Sequence, residues 1–71
     1  MLRVELLLRN SNSTLSVQRQ SAAAANTLYE QILAAINADR VQTLQLTCDR
    51  HSKTKIAVLS SEIIAVNLSE N

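Results

Sequence analysis

The stretch KIAVLSSEIIAV, residues 55–66, decides the fold of this chain. It contains six β-branched or leucine side chains, a single acid and no glycine. Strands that are buried on both faces lose the polar alternation of half-buried strands and read as continuous apolar runs. Ser60, Ser61 and Glu62 interrupt the run and are typical of a turn. The stretch therefore predicts two buried strands, residues 55–59 and 63–68, around a tight serine turn.

Toward the N-terminus, two alternating segments predict a β-hairpin. Residues 2–9 have leucine or valine at positions 2, 4, 6 and 8, which places these side chains on one face of a strand. Residues 14–18 alternate in the same way, with Leu15 and Val17 inward. The polar cluster at 10–13 lies between the two segments, and a short polar loop between alternating runs is typical of a hairpin.

The middle of the chain predicts one helix and a third strand. Ser21 fits a helix N-cap, because its hydroxyl can accept a hydrogen bond from an early free N–H group. The alanine-rich segment that follows favours a helix ending near residues 37–39. Its apolar side chains share one helical face: Ala25, Leu28, Tyr29, Ile32, Leu33 and Ile36. Residues 41–48 alternate as a strand, with a polar turn at 49–53.

These elements, in the order ββαβββ, predict an α+β fold. We expect two layers, a largely antiparallel sheet of four to five strands covered on one face by one helix, in a single domain at 1–71. A core in a chain of 71 residues rarely supplies more than about 3–5 kcal/mol without help from disulfides, metals or oligomerisation. One cysteine cannot form an internal disulfide, and a lone Cys with a lone His is a poor metal set. Oligomerisation is therefore the remaining candidate.

The face of the sheet opposite the helix carries apolar side chains in the simplest register. An uncovered apolar patch on a small protein usually marks a partner surface, so we expect a homodimer or a partner protein there. A β-bulge would move part of a strand to the other face. The candidate interface residues are Leu7, Ala57, Leu59, Ile63 and Ala65.

Four segments resemble a small uncharacterised protein family of cyanobacteria and some algal plastids. They are residues 15–19 (LSVQR), 29–33 (YEQIL), 46–48 (LTC) and 55–63 (KIAVLSSEI), of which the last is the most specific. Family members often have glycine or proline after the helix, where this chain has Ala38, Asp39 and Arg40. The family has no assigned activity and no defined site residues. The resemblance therefore implies a host type and a compartment, the cytoplasm or the stroma of a plastid, but not a mechanism.

Charge gives one alternative function. Seven Lys and Arg nearly balance six Asp and Glu, so bulk electrostatic attraction to nucleic acid or to an anionic membrane is not predicted. Local groups of cations favour the alternative of a small-ligand, nucleotide or RNA binder. Those groups are Arg3, Arg9 and Arg19, and Arg50, Lys53 and Lys55.

Catalytic and metal chemistry have little support in the sequence. Phosphate-binding loops need glycine, and the chain has none. Cys48 and His51 form a possible thiol–imidazole pair, but Cys48 continues an inward apolar face and reads as a small buried hydrophobe. We predict no enzymatic activity, no metal, no cofactor and no membrane insertion. The expected function is a non-catalytic interaction module in the cytoplasm, working as a homodimer or as a small subunit of a larger assembly.

Overall fold

The computed structural model describes residues 1–9 and 13–70 and confirms the α+β class with the order ββαβββ. The predicted turn at 10–13 lies outside the described residues except for Ser13. The elements run as follows: β1 (Leu2–Leu8), β2 (Thr14–Arg19), α1 (Ala22–Asn37), β3 (Thr43–Thr47), β4 (Lys55–Leu59), a 3₁₀ turn (Ser60–Glu62) and β5 (Ile63–Glu70). The predicted serine turn is therefore this 3₁₀ turn.

The five strands form two antiparallel sheets. β1 lies between β2 and β5 in a three-stranded sheet, and β3 pairs with β4 in a hairpin. The two sheets meet where β2 and β3 end, because the N–H group of Asp49 donates to the carbonyl of Gln18 over 2.9 Å. The predicted sheet of four to five strands is thus divided, since the pairing between β2 and β3 does not continue beyond these ends.

Helix α1 begins and ends where local chemistry satisfies its free backbone groups. The hydroxyl of Ser21 accepts a hydrogen bond from the N–H of Ala24 over 3.1 Å, as the N-cap position favours. At the other end the N–H of Ala38 donates to the carbonyl of Ala35 over 3.3 Å. The helix packs against all three strands of the larger sheet and against the 3₁₀ turn.

One core joins the helix and both sheets. Its largest wholly buried side chains are Val4, Leu6, Val17 and Ile32. The β3–β4 hairpin adds buried side chains of its own to the same cluster, namely Leu46 and Val58, with Cys48 just after β3. The hairpin therefore encloses the core together with α1 and the three-stranded sheet.

A β-bulge in β5 corrects one predicted position. Leu7 pairs with Ala65 and Leu8 pairs with Ile63, so Ile64 is an extra residue between the two pairs. Such an extra residue shifts the alternation of side chains by one position, so the residues before it point to the opposite face from the one that simple alternation predicts. Ile63 is 3% exposed and Ile64 is 55% exposed. The prediction that Ile63 lies on the uncovered face is therefore wrong, because the bulge turns it into the core.

The pairing gives the molecule two distinct ends. β1 and β5 are antiparallel, as are β3 and β4, and the 3₁₀ turn joins β4 to β5. The end of β1 therefore lies with the start of β5, the end of β4 and the start of β3, and we call this the turn end. The opposite end holds the start of β1 and the ends of β2 and β3.

Candidate functional site

Exposed apolar side chains gather at the turn end. Four of the five large hydrophobic residues that are exposed in the described part of the chain lie there, with exposed fractions between 40% and 62%. The fifth is Met1, at the opposite end. We define the turn-end surface as these four residues together with the half-buried Ala65: Leu7, Val41, Leu59, Ile64 and Ala65.

Hydrogen bonds from two directions fix the backbone beneath this surface. The N–H of Ser60 donates to the carbonyl of Gln42, and the Ser60 hydroxyl accepts from the N–H of Gln42, each over 2.8 Å. On the other side, the N–H of Arg9 donates to the carbonyl of Glu62 over 2.7 Å. Its Nε group donates to the carbonyl of Ser61 over 3.2 Å. The exposed side chains therefore stand on an ordered frame.

The structure places four of the five predicted interface residues on the outside. Leu7, Ala57 and Leu59 are exposed, and Ala65 is half-buried. Ile63 is the exception described above. Whether these side chains contact a partner stays a prediction.

Sequence reasoning missed two members of the turn-end surface. The strand predicted at 41–48 includes Val41, but β3 begins two residues later, at Thr43. With Ile63 on the uncovered face, simple alternation puts Ile64 on the side of the helix, and no glycine signals the bulge that exposes it. Beside Val41, a cavity of about 200 Å³ extends between the end of α1 and the 3₁₀ turn, lined in part by Ile36 and Ser60.

The first predicted cation group is not a cluster, because Arg19 is used within the fold. Its Nη1 atom donates to the carbonyl of Thr47 over 2.6 Å and to the carbonyl of Gln18 over 3.0 Å. The same atom lies 3.9 Å from Oδ1 of Asp49, and the side chain is only 14% exposed. Arg19 thus links the ends of β2 and β3.

The other two arginines of this group lie far from each other. Arg3 pairs with Gln18 across β1 and β2, so the neighbouring Arg19 faces the opposite side of the sheet. The Nη2 atom of Arg3 lies 3.5 Å from Oε1 of Glu5. Arg9 follows the far end of β1, about 20 Å away at the usual rise of a strand. The expectation that the three arginines come together is wrong, because alternation and strand length separate them.

The second cation group stays together at the opposite end. Arg50, Lys53 and Lys55 are exposed in and beside the loop that joins β3 to β4. A polar cavity of about 440 Å³ borders this loop, lined by Gln20, Thr47, Cys48, Asp49 and Ser52. The alternative of anion binding therefore depends on these three cations alone.

Cys48 is buried and accepts hydrogen bonds. The thiol is part of the core cluster, as the sequence predicts, and its Sγ accepts from the N–H of Gln18 over 3.3 Å. Burial raises the pKa of the Cys48 thiol, but backbone N–H groups of Gln18, His51 and Arg50, with the charge of Arg19, outweigh it and lower that pKa. A thiolate so stabilised is chemically a nucleophile. Here the side chain is packed inside and its residue is 5% exposed.

His51, the other half of the predicted thiol–imidazole pair, is exposed in the turn after β3. Its backbone N–H donates to the carbonyl of Cys48 over 3.1 Å. In the described residues, no group of three or more His, Cys, Asp or Glu side chains is placed to hold a metal ion. No helix in that part of the chain is long and apolar enough to cross a membrane.

Fold and surface together define a small α+β domain with one helix, two antiparallel sheets and an exposed apolar end. The chain belongs to the UPF0367 protein family, whose model matches residues 3–71. This confirms the resemblance to an uncharacterised family found in cyanobacteria.

Three relatives illustrate the similarity. A UPF0367 protein of Acaryochloris marina is 46% identical over 94% of this chain and 76% of the relative. One of Synechocystis is 40% identical over 99% of this chain and 75% of the relative. One of Gloeobacter violaceus is 41% identical over 97% and 74%, respectively. No solved structure matches the chain.

Proposed function

We propose that this protein is a non-catalytic interaction module, acting as a homodimer or as a small subunit of a larger assembly. The observation that carries the proposal is the turn-end surface, where Leu7, Val41, Leu59 and Ile64 are all exposed. Exposed hydrophobic side chains are unremarkable when they are scattered, but a concentration of them on a small protein marks an interaction site. The expected compartment is the cytoplasm, or the stroma for a plastid-encoded member.

The rigidity of the turn end supports the same proposal. Binding costs less free energy when the contacting backbone is already ordered. Ser60 and Arg9 hold the 3₁₀ turn through four hydrogen bonds to its two neighbouring segments. The apolar side chains around the turn are therefore presented in a fixed arrangement before any partner arrives.

A binder of nucleotides or RNA is the second candidate, with Arg50, Lys53 and Lys55 as its contacts. The three cations are exposed in one short segment, which favours contact with phosphate groups. Single-stranded nucleic acids also use aromatic side chains for stacking. The only aromatic residue of the chain, Tyr29, lies half-buried on α1, so this segment offers charge alone.

Size-exclusion chromatography with light scattering tests the proposal, on protein purified from its native host. We expect a mass well above the 7.8 kDa of one chain. The double variant Leu59→Thr/Ile64→Thr should return to the mass of one chain, because it removes apolar contact area while threonine suits strands. Gln45→Thr, an exposed position on the same hairpin, is the matched control and should keep the native mass.

Absorbance at 260 nm separates the two candidates in the same run. One tyrosine and no tryptophan leave the chain almost without absorbance at 280 nm, so bound nucleic acid would dominate the spectrum. An excess at 260 nm that salt removes would favour the RNA or nucleotide binder, since salt screens exposed charges. A native chain that stays at the mass of one chain at the highest concentration loaded, with no co-eluting protein, would contradict the interaction module.

A further inference from the structure

Strand β4 has one open edge. In the described residues 1–9 and 13–70 it pairs with β3 alone, so alternate N–H and C=O groups along its other side have no strand partner. An open edge of this kind is a template for pairing with a further strand, and proteins normally protect it with charges, proline, bulges or a covering element.

The other edges of the two sheets carry such protection. β5 has the bulge at Ile64, and α1 packs against it. At the end of β2, the backbone of Gln18 is bonded to Cys48 Sγ and to the N–H of Asp49, and the same bonds occupy the end of β3. β4 has the sequence KIAVL, without bulge or proline, and its one charge is Lys55 at the start. Beyond Lys55, the edge of β4 has none of these protections.

Charges on either side of β4 favour one pairing direction. Lys53 and Lys55 lie at its start and Glu62 lies just beyond its end. The ion pairs within the described residues are Arg3–Glu5 and Arg19–Asp49, so none of these three side chains is already engaged in one. When a second copy of β4 pairs antiparallel, the basic start of each β4 lies against the acidic residue beyond the end of the other. A parallel copy would place like charges opposite each other.

We propose that a second copy of this chain pairs antiparallel with β4, so that two hairpins form one four-stranded sheet. This inference rests on the proposed interaction function and names its partner. Residues directly opposite each other in a sheet share a face. The two-fold axis must therefore lie at a residue and not between two residues. We place it near the middle of β4, at Ala57 or at Val58. With the axis at Val58, Ala57 of each copy lies opposite Leu59 of the other. With the axis at Ala57, the two Ala57 residues lie opposite each other and each Leu59 lies opposite Lys55 of the other copy. The two turn-end surfaces lie toward opposite ends of the four-stranded sheet.

The expected dimer is weak. Five strand residues from each copy bury less than the roughly 800 Å² per partner of a standard stable interface. The ion pairs are exposed and contribute modestly, but the two-fold axis makes each of them twice. Association should therefore depend on protein concentration and on the charges that flank β4.

Sedimentation velocity over a concentration series tests the pairing with two charge reversals. Glu62→Lys and Lys55→Glu each oppose like charges twice in the dimer, and each should weaken association about tenfold. An equimolar mixture of the two variants restores opposite charges at both contacts, so it should form a mixed dimer as tight as the native one. Glu30→Lys, an exposed position on α1, is the matched control and should sediment as the native chain.

Amide hydrogen exchange gives a second readout that does not depend on charge. The N–H groups of β4 that point away from β3 should gain protection from exchange as the concentration of native protein rises. The N–H groups at the free edge of β5 should not. Native association that neither reversal weakens, or protection elsewhere than β4, would overturn the β4 pairing. If Leu59→Thr/Ile64→Thr still abolishes assembly in that case, the interaction module stands with another partner or geometry. A native chain that remains monomeric at every concentration overturns the dimer outright.

Discussion

At the scale of single residues, several polar side chains of the described structure bond to the backbone of other segments. Ser60 is buried and closes the end of the β3–β4 hairpin through Gln42. Arg19 joins β2 to β3, although its position in the sequence gave it the appearance of an anion contact. The sequence identifies such residues as polar and clustered, but their bonding partners lie up to 52 positions away and are fixed only by the pairing of strands.

The thiol of Cys48 should make the free energy of unfolding depend on pH. Its pKa is lowered in the folded state, whereas an unfolded thiol titrates near about 8.5. Between these two values the unfolded chain binds more protons, so stability rises with pH. The contribution is fully present above about pH 8.5 and is lost as pH falls through the folded pKa.

Urea denaturation of the native chain and of Cys48→Ser, at a series of pH values from neutral to about pH 9, measures this effect. Serine keeps an acceptor for the N–H of Gln18 and does not titrate in this range. The native chain should gain stability with rising pH relative to Cys48→Ser. Parallel pH curves for the two proteins would show that the thiol does not ionise preferentially in the folded state.

At the scale of elements, the sequence predicts which helices and strands exist better than it predicts how the strands pair. The start of α1 at Ala22 with its Ser21 cap and the bounds of β4 are confirmed, because capping and apolar runs are local signals. The bulge in β5 and the division into two sheets were not predicted, since both depend on contacts between distant segments. The error at Ile63 and the omission of Ile64 have this single cause.

Alanine substitutions at the bulge test the register of β5 directly. Ile63→Ala removes buried side-chain volume and should cost about 2–5 kcal/mol of unfolding free energy. Ile64→Ala changes an exposed side chain at the next position and should stay within about 0.5 kcal/mol. Chemical denaturation of both variants at a concentration where the chain is monomeric gives the comparison. Equal losses would mean that the bulge is not where the structure places it.

At the scale of the whole molecule, most of the exposed large apolar side chains and the three-cation loop lie at opposite ends of the β3–β4 hairpin. Apolar side chains stand around the 3₁₀ turn, and Arg50, Lys53 and Lys55 lie at the other end of the β3–β4 hairpin. Composition alone did not indicate this polarity, because the seven cations and six anions nearly balance. Only the antiparallel pairing of the strands sorts the residues between the two ends.

Refolding of the chain should proceed without a slow isomerisation phase. It contains no proline, and prolyl isomerisation is the usual source of phases lasting about 10–100 s. Stopped-flow circular dichroism on dilute protein should therefore show a single exponential whose rate is independent of concentration. A concentration-independent phase in the range of tens of seconds would contradict this expectation and would require another trapped state.

The central place of β1 also determines the order in which the fold can be completed during synthesis. β1 is synthesised before the other described strands and lies next to β2 in the sequence, but its other neighbour is β5, which pairs Glu70 with Leu2. Until β5 is synthesised, the edge of β1 that β5 covers in the fold has no strand partner. The larger sheet is therefore complete only when β5, the last of the described strands, docks on β1.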